Sequence, residues 1–284
     1  MASEMSLDKL RAEIDRIDDA LHDLIMQRTD LVQRVGDLKD AASLLLPGRE
    51  AEIVRRLVSR HHGSFPKVAL MRIWREIIGA MIGLQGEVSV AVFMPDRGAG
   101  YLELARDHYG SILSIIPVRS AGQVAKAVAE GSAMVGIMPM PDREDVEPWW
   151  ISLMGDSPDL PRIIARLPFA GPGPSRGEGL EALAIGRLWP EPTGYDRSWL
   201  ALETIPDISR ARLRSALSAA GIESTALAAT QRAEEAWLHL VEISGHLAPD
   251  DRRISRLVER KQPVLRAVLL GGYPVPFSSE DLAD

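Results

Sequence analysis

The chain contains no cysteine, which excludes thiolate chemistry, disulfides and cysteine-ligated metal sites. Basic runs of useful length are also missing, and the net charge is −7, so general nucleic-acid binding is excluded. No apolar run approaches membrane-spanning length. The opening MASEMSLDKL is acidic and amphipathic, unlike a secretory signal, and a cytoplasmic protein is expected. His239 and His246 lie far apart with no ligand spacing, so no metal is expected; no cofactor is expected either.

What is present is ordinary globular composition, 46% hydrophobic and 26% charged residues in a chain of 284; the length suggests two or three domains. The first stretch, Ser6 to Lys39, carries Leu7, Leu10, Ile14, Ile17, Leu21, Leu24, Ile25, Leu31, Val35 and Leu38 at helical spacing. Proline is absent from it and Gly36 is its only glycine. Ser6 suits the N-cap and Asp8 the positive end of the helix dipole. At ~1.5 Å per residue such a helix is roughly 50 Å long. A compact domain of a hundred residues is only about 26 Å across, taking a radius of gyration of ~13 Å. The helix therefore needs partners outside its own chain, and an intertwined dimer is predicted.

Arg11, Arg28 and Lys39 interrupt the acidic faces of this helix. Arg28 and Lys39, eleven residues apart, fall within roughly 20° of each other, whereas Arg11 points roughly 100° away. They read either as solvated cations or as an anion site shared between two protomers, with Arg11 serving the neighbour. Pro47 suits the first position of a second helix through Arg49, Glu50, Ile53, Val54 and Leu57. Arg49 opposes the dipole of that helix unless an anion faces it. A third helix opens near Ser64, Phe65 and Pro66 and runs to about Leu84. Gln85 continues its apolar stripe, so an amide faces inward or sits at a frayed end.

The segments LRAEIDRID, LIMQRTDLV, VGDLK, PGREAEI and WREIIGAMIGLQ together resemble the all-helical chorismate mutases. They resemble in particular the mutase domain that begins bifunctional mutase–prephenate dehydratases. The resemblance runs from Leu7 to Lys39 and resumes through Gln85. It implies a three-helix fold, an intertwined dimer and substrate binding by Arg11 (from the partner protomer), Arg28, Lys39, Arg49, Glu50 and Gln85. The implied reaction, chorismate to prephenate, is an intramolecular pericyclic rearrangement of a dicarboxylate. It is accelerated by holding a chair-like conformer and stabilising negative charge on the ether oxygen. Forked arginine donors suit the carboxylates. By resemblance Arg11 and Arg28 clamp them, Lys39 and Gln85 donate to the ether oxygen, Glu50 accepts from the ring hydroxyl, and Arg49 supports the polar network. Two lining positions depart from the pattern: Leu46 replaces a frequent acid and Met81 a serine, both on the hydroxyl side.

From about Val88 the period changes. Strands at Val88–Met94, Ile112–Val118 and Ala133–Met138, with helices near Leu102–Tyr109 and Ala121–Ala129, predict a parallel α/β layer. The loop PDRGAG reads as a turn, GPGPSRGEG as a connector, and Trp149 and Trp150 as packing residues. VAVFMP, AVAEGSAMVGIMPMP and EALAIGRLWPEPTG loosely resemble a prephenate dehydratase. There, however, Leu180, Glu181 and Ala182 replace the catalytic Thr-Arg-Phe, and Gly98, Ala99 and Gly100 replace a hydroxyl-bearing loop. A truncated, inactive dehydratase-like domain is expected.

From Ser198 the pattern is β-α-β-β-α-β and resembles an ACT domain. Arg210–Ala211–Arg212 and Ala228, Ala229, Thr230 and Gln231 replace its effector signatures, so a structural or dimer-forming role is expected. The predicted domains are 1–87, 88–197 and 198–276, followed by a disordered tail, 277–284. The leading expectation is a monofunctional chorismate mutase serving phenylalanine and tyrosine synthesis. Its rivals are a bifunctional mutase–dehydratase, an isochorismate pyruvate lyase, and a non-enzymatic regulatory or assembly protein.

Overall fold

The structure is a computed structural model that describes residues 6–37, 44–95, 99–142, 148–171, 179–233, 236–259 and 263–283. Leu38, Lys39, Gly98, most of the PDRGAG loop's charged centre and nearly all of GPGPSRGEG lie outside the described residues. The order of elements is that of three helices, an α/β layer and a βαββαβ segment, as the sequence predicts. Helix α1 spans Leu7–Asp37, and Ser6 Oγ accepts from the Lys9 amide at 3.4 Å, the geometry of an N-cap. Helix α2, Pro47–Ser59, has its proline at the first turn. Helix α3 spans Lys67–Gln85.

The chain divides into two compact units. The first comprises Met1–Leu45 and Met81–Glu87, that is, α1 and the last turn of α3. None of α1's residues is buried, and its apolar stripe is exposed from 37% at Ile25 to 61% at Leu7.

The second unit, Leu46–Ala80 and Val88–Asp284, is built on one nine-stranded sheet. Strands β1 (Ser89–Phe93), β2 (Ser114–Val118) and β3 (Val135–Pro139) are parallel. They are linked by α4 (Gly100–Tyr109) and α5 (Ala121–Ala129), and the side chain of Ser120 caps α5 by accepting from the Gln123 amide. Strands β4 (Arg162–Leu167) and β5 (Ala182–Gly186) add an antiparallel pair, with β5 beside β3. Strands β6 (Asp196–Thr204), β7 (Ser224–Arg232), β8 (Trp237–Ser244) and β9 (Val264–Pro274) alternate with α6 (Arg210–Ala219) and α7 (Arg252–Glu259). Their order, β9-β6-β8-β7, is that of a ferredoxin-like split βαβ sheet.

The halves join where Ile163 of β4 pairs with Gly271 of β9. Gly271 has φ +116°, and a Cβ there would overlap the Ile163 carbonyl, so only glycine permits the contact. One hydrophobic core crosses this joint, running from Trp149, Trp150 and Ile185 to Trp199, Leu240 and Leu270. Trp149 and Trp150 are packing residues, 4% and 0% exposed.

The division of the chain differs from the expected boundaries in three respects. A boundary at 87 would put α2 and α3 with α1, yet α2 and most of α3 group with the sheet. Arg55 of α2 donates to Thr193 and to the carbonyls of Tyr195 and Val275, and Glu76 of α3 accepts from Ser111. A boundary at 197 would cut the shared sheet and core. The tail, expected to be disordered, instead forms helix α8 (Ser279–Leu282) with a Ser278–Asp281 capping box. Phe277 and Leu282 pack on Ala51, Val54, Met71 and Phe169. Among the described residues no helix is long and apolar enough to cross a membrane.

Gly79 of α3 approaches the end of α4 so closely that an added Cβ would overlap the Tyr109 carbonyl oxygen. Gly79→Ala should destabilise the protein by about 1–3 kcal/mol, as overpacking does. Urea unfolding followed by tryptophan fluorescence measures it, and an unchanged midpoint would contradict this packing.

Candidate active site

In the first unit the predicted site residues of α1 and α3 meet. Arg28 is half-buried, and its Nη1 donates to the thioether of Met81. Burial lowers its pKa, and among the described residues no carboxylate pairs with it. The Gln85 side chain packs against Gly36, where an added Cβ would lie 3.2 Å from Cγ, and its Nε2 reaches the Met81 carbonyl at 3.4 Å. A partly desolvated guanidinium, without a counterion among the described residues, therefore shares Met81 as a neighbour with an amide held only weakly. Desolvation without pairing is costly for a cation and is relieved by an anionic ligand. Lys39 lies outside the described residues.

Arg11 is not brought to this group. Its side chain is 67% exposed, 3.7 Å from Asp8, and seventeen residues of helix set it about 25 Å along the axis from Arg28.

Leu46, Arg49 and Glu50 belong to the second unit. Leu46 stands at the N-cap of α2 without a side-chain cap, and its carbonyl accepts from the Glu50 amide at 2.9 Å. Arg49 is exposed and pairs with Glu52 at 3.1 Å, a surface contact worth little. Glu50 is buried and accepts from Arg75 Nη1 at 2.7 Å. Burial pushes the carboxyl up while Arg75 pulls it back. Arg75, to which the sequence reading gave no role, is 5% exposed and lies 5.0 Å over the Phe169 ring. Its signal was available: it falls on the buried stripe of α3 between Met71 and Ile78, where a charge needs a partner.

The dehydratase-like positions are occupied by other interactions. Leu180 lies against Gly100, where a Cβ would overlap its Cδ2. An apolar side chain therefore fills the space between the two positions at which the resemblance places hydroxyls. Glu181, where the resemblance places an arginine, is held by Arg166 through Nε and Nη2 at 2.9–3.1 Å. In the βαββαβ segment Arg210 and Thr230 line one crevice with Asp207, Trp237 and His239. His239 is bonded on both ring nitrogens, to Thr204 and Thr230, and His246 to the Pro190 carbonyl. No group of three or more potential metal ligands occurs among the described residues.

Residues 10–86 match the family model of chorismate mutase type II. This mutase segment holds Arg11, Arg28, Lys39, Leu46, Arg49, Glu50, Met81 and Gln85. A bifunctional chorismate mutase/prephenate dehydratase of Aquifex aeolicus is 32% identical over 140 residues, covering 47% of this chain and 38% of that protein. Its counterpart in Pseudomonas aeruginosa is 27% identical over 147 residues, 49% of this chain and 40% of that protein. Both alignments are longer than the mutase segment, yet the chain spans only about two fifths of these curated relatives. The solved prephenate dehydratase of Streptococcus mutans superposes with a TM-score of 0.45 at 17% identity, over 66% of this chain and 98% of that chain.

Behind Phe169 the mutase segment's Arg75 faces His108, whose pKa is held well below its ordinary 6.5 by burial and then by Arg75. Once pH falls below about 6.5 the unfolded chain binds a proton there that the folded chain refuses, so stability falls with pH. The wild type should lose up to about 1.4 kcal/mol per pH unit more than His108→Phe on the acid side. Denaturant titrations between pH 7.5 and 5 measure the difference; parallel curves would contradict it.

Proposed function

We propose that the chain is a chorismate mutase that converts chorismate to prephenate. The observation that carries this reading is Arg28. It is a half-buried guanidinium with no carboxylate partner among the described residues, in contact with the end of α3 that also holds Gln85. The reaction breaks the C–O ether bond and forms a C–C bond within one molecule. The protein has to select the compact conformer and stabilise charge on the ether oxygen. Arg28 binds a carboxylate; Lys39 and Gln85 donate to the ether oxygen, most strongly in the transition state. Glu50 accepts from the ring hydroxyl. Arg49 turns from Glu52 to the polar network around the ligand. Leu46 and Met81 line the hydroxyl side and weaken its binding relative to an acid and a serine.

Arg11 acts in trans. The exposed stripe of α1 calls for a second copy of this chain, and a homodimer returns Arg11 to the partner's Arg28 across the roughly 25 Å that separate them on one helix. The segment after Val88 is not a dehydratase in this reading. Leu180 and Glu181 leave neither a hydroxyl nor a free arginine where the resemblance requires them, and a proton donor to the leaving hydroxyl is needed. The βαββαβ segment is an ACT-like structural body. Aromatic amino-acid synthesis in the cytoplasm is the setting.

Incubation of the purified protein with chorismate tests the assignment. Prephenate should form, and phenylpyruvate should appear only after acid treatment. Salicylate and pyruvate would instead indicate a lyase, and untouched chorismate would refute the enzyme reading. Arg28→Ala and Lys39→Ala should each lower kcat/KM by about 10²–10³, the usual loss of one transition-state donor. Met81→Ser should lower KM severalfold.

A further inference from the structure

We propose that Arg75 is the positioning residue for Glu50, so that the sheet-bearing unit holds the carboxylate that receives the substrate's ring hydroxyl. This rests on the mutase reading and ties its chemistry to the rest of the chain. Glu50 and Arg75 form an ion pair at 2.7 Å with side chains only 8% and 6% exposed. Arg75 engages Oε2 and the Leu46 backbone also hydrogen-bonds to the carboxyl; a carboxylate's two oxygens offer about four lone-pair sites, so capacity for a further donor remains. The guanidinium is fixed from its other side by the Phe169 ring. Phe169 follows β4 and packs edge-to-face on Phe277 and His108, with centroids 5.6 and 6.5 Å away. These neighbours all come from the segments after Val88, outside the mutase helices.

Arg75 also decides the charge of Glu50. The groups that face the carboxyl are Arg75 from α3, the Leu46 backbone at the start of α2 and Tyr109 from the end of α4, whose hydroxyl is buried without a hydrogen-bond partner among the described residues. His108 stands beside Arg75 and is kept neutral by burial, while Arg49 and Glu52 of α2 pair with each other at the surface. Among the described residues Arg75 is thus the cation in direct contact with the buried Glu50 carboxyl. Without it the acid would take up a proton and could no longer accept from a hydroxyl with both oxygens.

Prephenate formation from chorismate, followed from pH 5 to 9 with the full chain, tests this. The proteins compared are wild type, Arg75→Met, Arg75→Lys, Glu50→Gln and the double variant Glu50→Gln/Arg75→Met, each checked for cooperative unfolding. Arg75→Met should lower kcat/KM at pH 6 about tenfold and move its acid limb up by about one pH unit or more. Arg75→Lys should return the limb toward wild type. Glu50→Gln should lack that limb, and adding Arg75→Met to it should change little. If Arg75→Met does not fold, Phe169→Leu decides: a limb shifted in the same direction supports the proposal and an unshifted one overturns it. A folded Arg75→Met with the wild-type limb and rate also overturns it, as does a double variant that loses as much again as the single one. A wild type that makes no prephenate overturns the mutase reading and this proposal with it; an active wild type with an unmoved limb overturns this proposal alone.

Discussion

A helix of 31 residues that buries none of them is the constraint on which the rest of this molecule depends. Its apolar stripe is continuous from Leu7 to Val35, and each side chain of that size left in water forgoes about 1.5–3 kcal/mol of burial. No rearrangement of a single straight rod shortens the distance between Arg11 and Arg28. In the proposed homodimer the burial and the clamp become one problem, which pairing two copies of the rod would solve. The proposed active site then follows from the pairing: the cations are placed by helix periodicity, and the donors to the ether oxygen come from the same rod and from the end of α3.

The second unit holds helix α2 and most of helix α3. Helices α2 and α3 are the mutase segment's own, yet they are fastened to the sheet by Arg55, Glu76, Gly79 and the Glu50–Arg75 pair. Sequence order alone places them with α1; the packing places them with the strands. Positions that would carry dehydration chemistry are spent on packing and charge balance, with Leu180 on Gly100 and Arg166 on Glu181. In the proposed reading the α/β body carries helices α2 and α3 and is not a second catalyst.

Local signals were legible in the sequence. Pro47 marks the start of α2, Ser6 caps α1, and Ala121–Ala129 is helical to the residue. The three parallel strands and the βαββαβ order follow from alternation and turn residues. Features that depend on distant pairing were not legible. Strand β4 was missed because its partners, β5 and β9, lie across connectors of very different length. The shared sheet was missed with it, since Gly271 reads as a strand glycine until Ile163 is seen against it. The tail passed for disorder because its anchors, Phe277 and Leu282, find their apolar partners on α2 and α3. Residue types at family spacing singled out Arg28 and Gln85, and both side chains contact Met81. The buried partner of Glu50 required the structure, although a charge inside an apolar stripe was there to be noticed.

The sharing of one site between two copies of α1 is the central claim, and subunit mixing tests it most directly. Arg11→Ala and Arg28→Ala chains are each prepared alone and then unfolded and refolded together. Each alone should be nearly inactive toward chorismate. After mixing, roughly half of the dimers carry one copy of each chain, and each of these has one site with both arginines intact. The mixture should therefore regain about a quarter of the wild-type rate. No recovery from a mixture that contains mixed dimers, or full activity of Arg11→Ala by itself, would contradict the account.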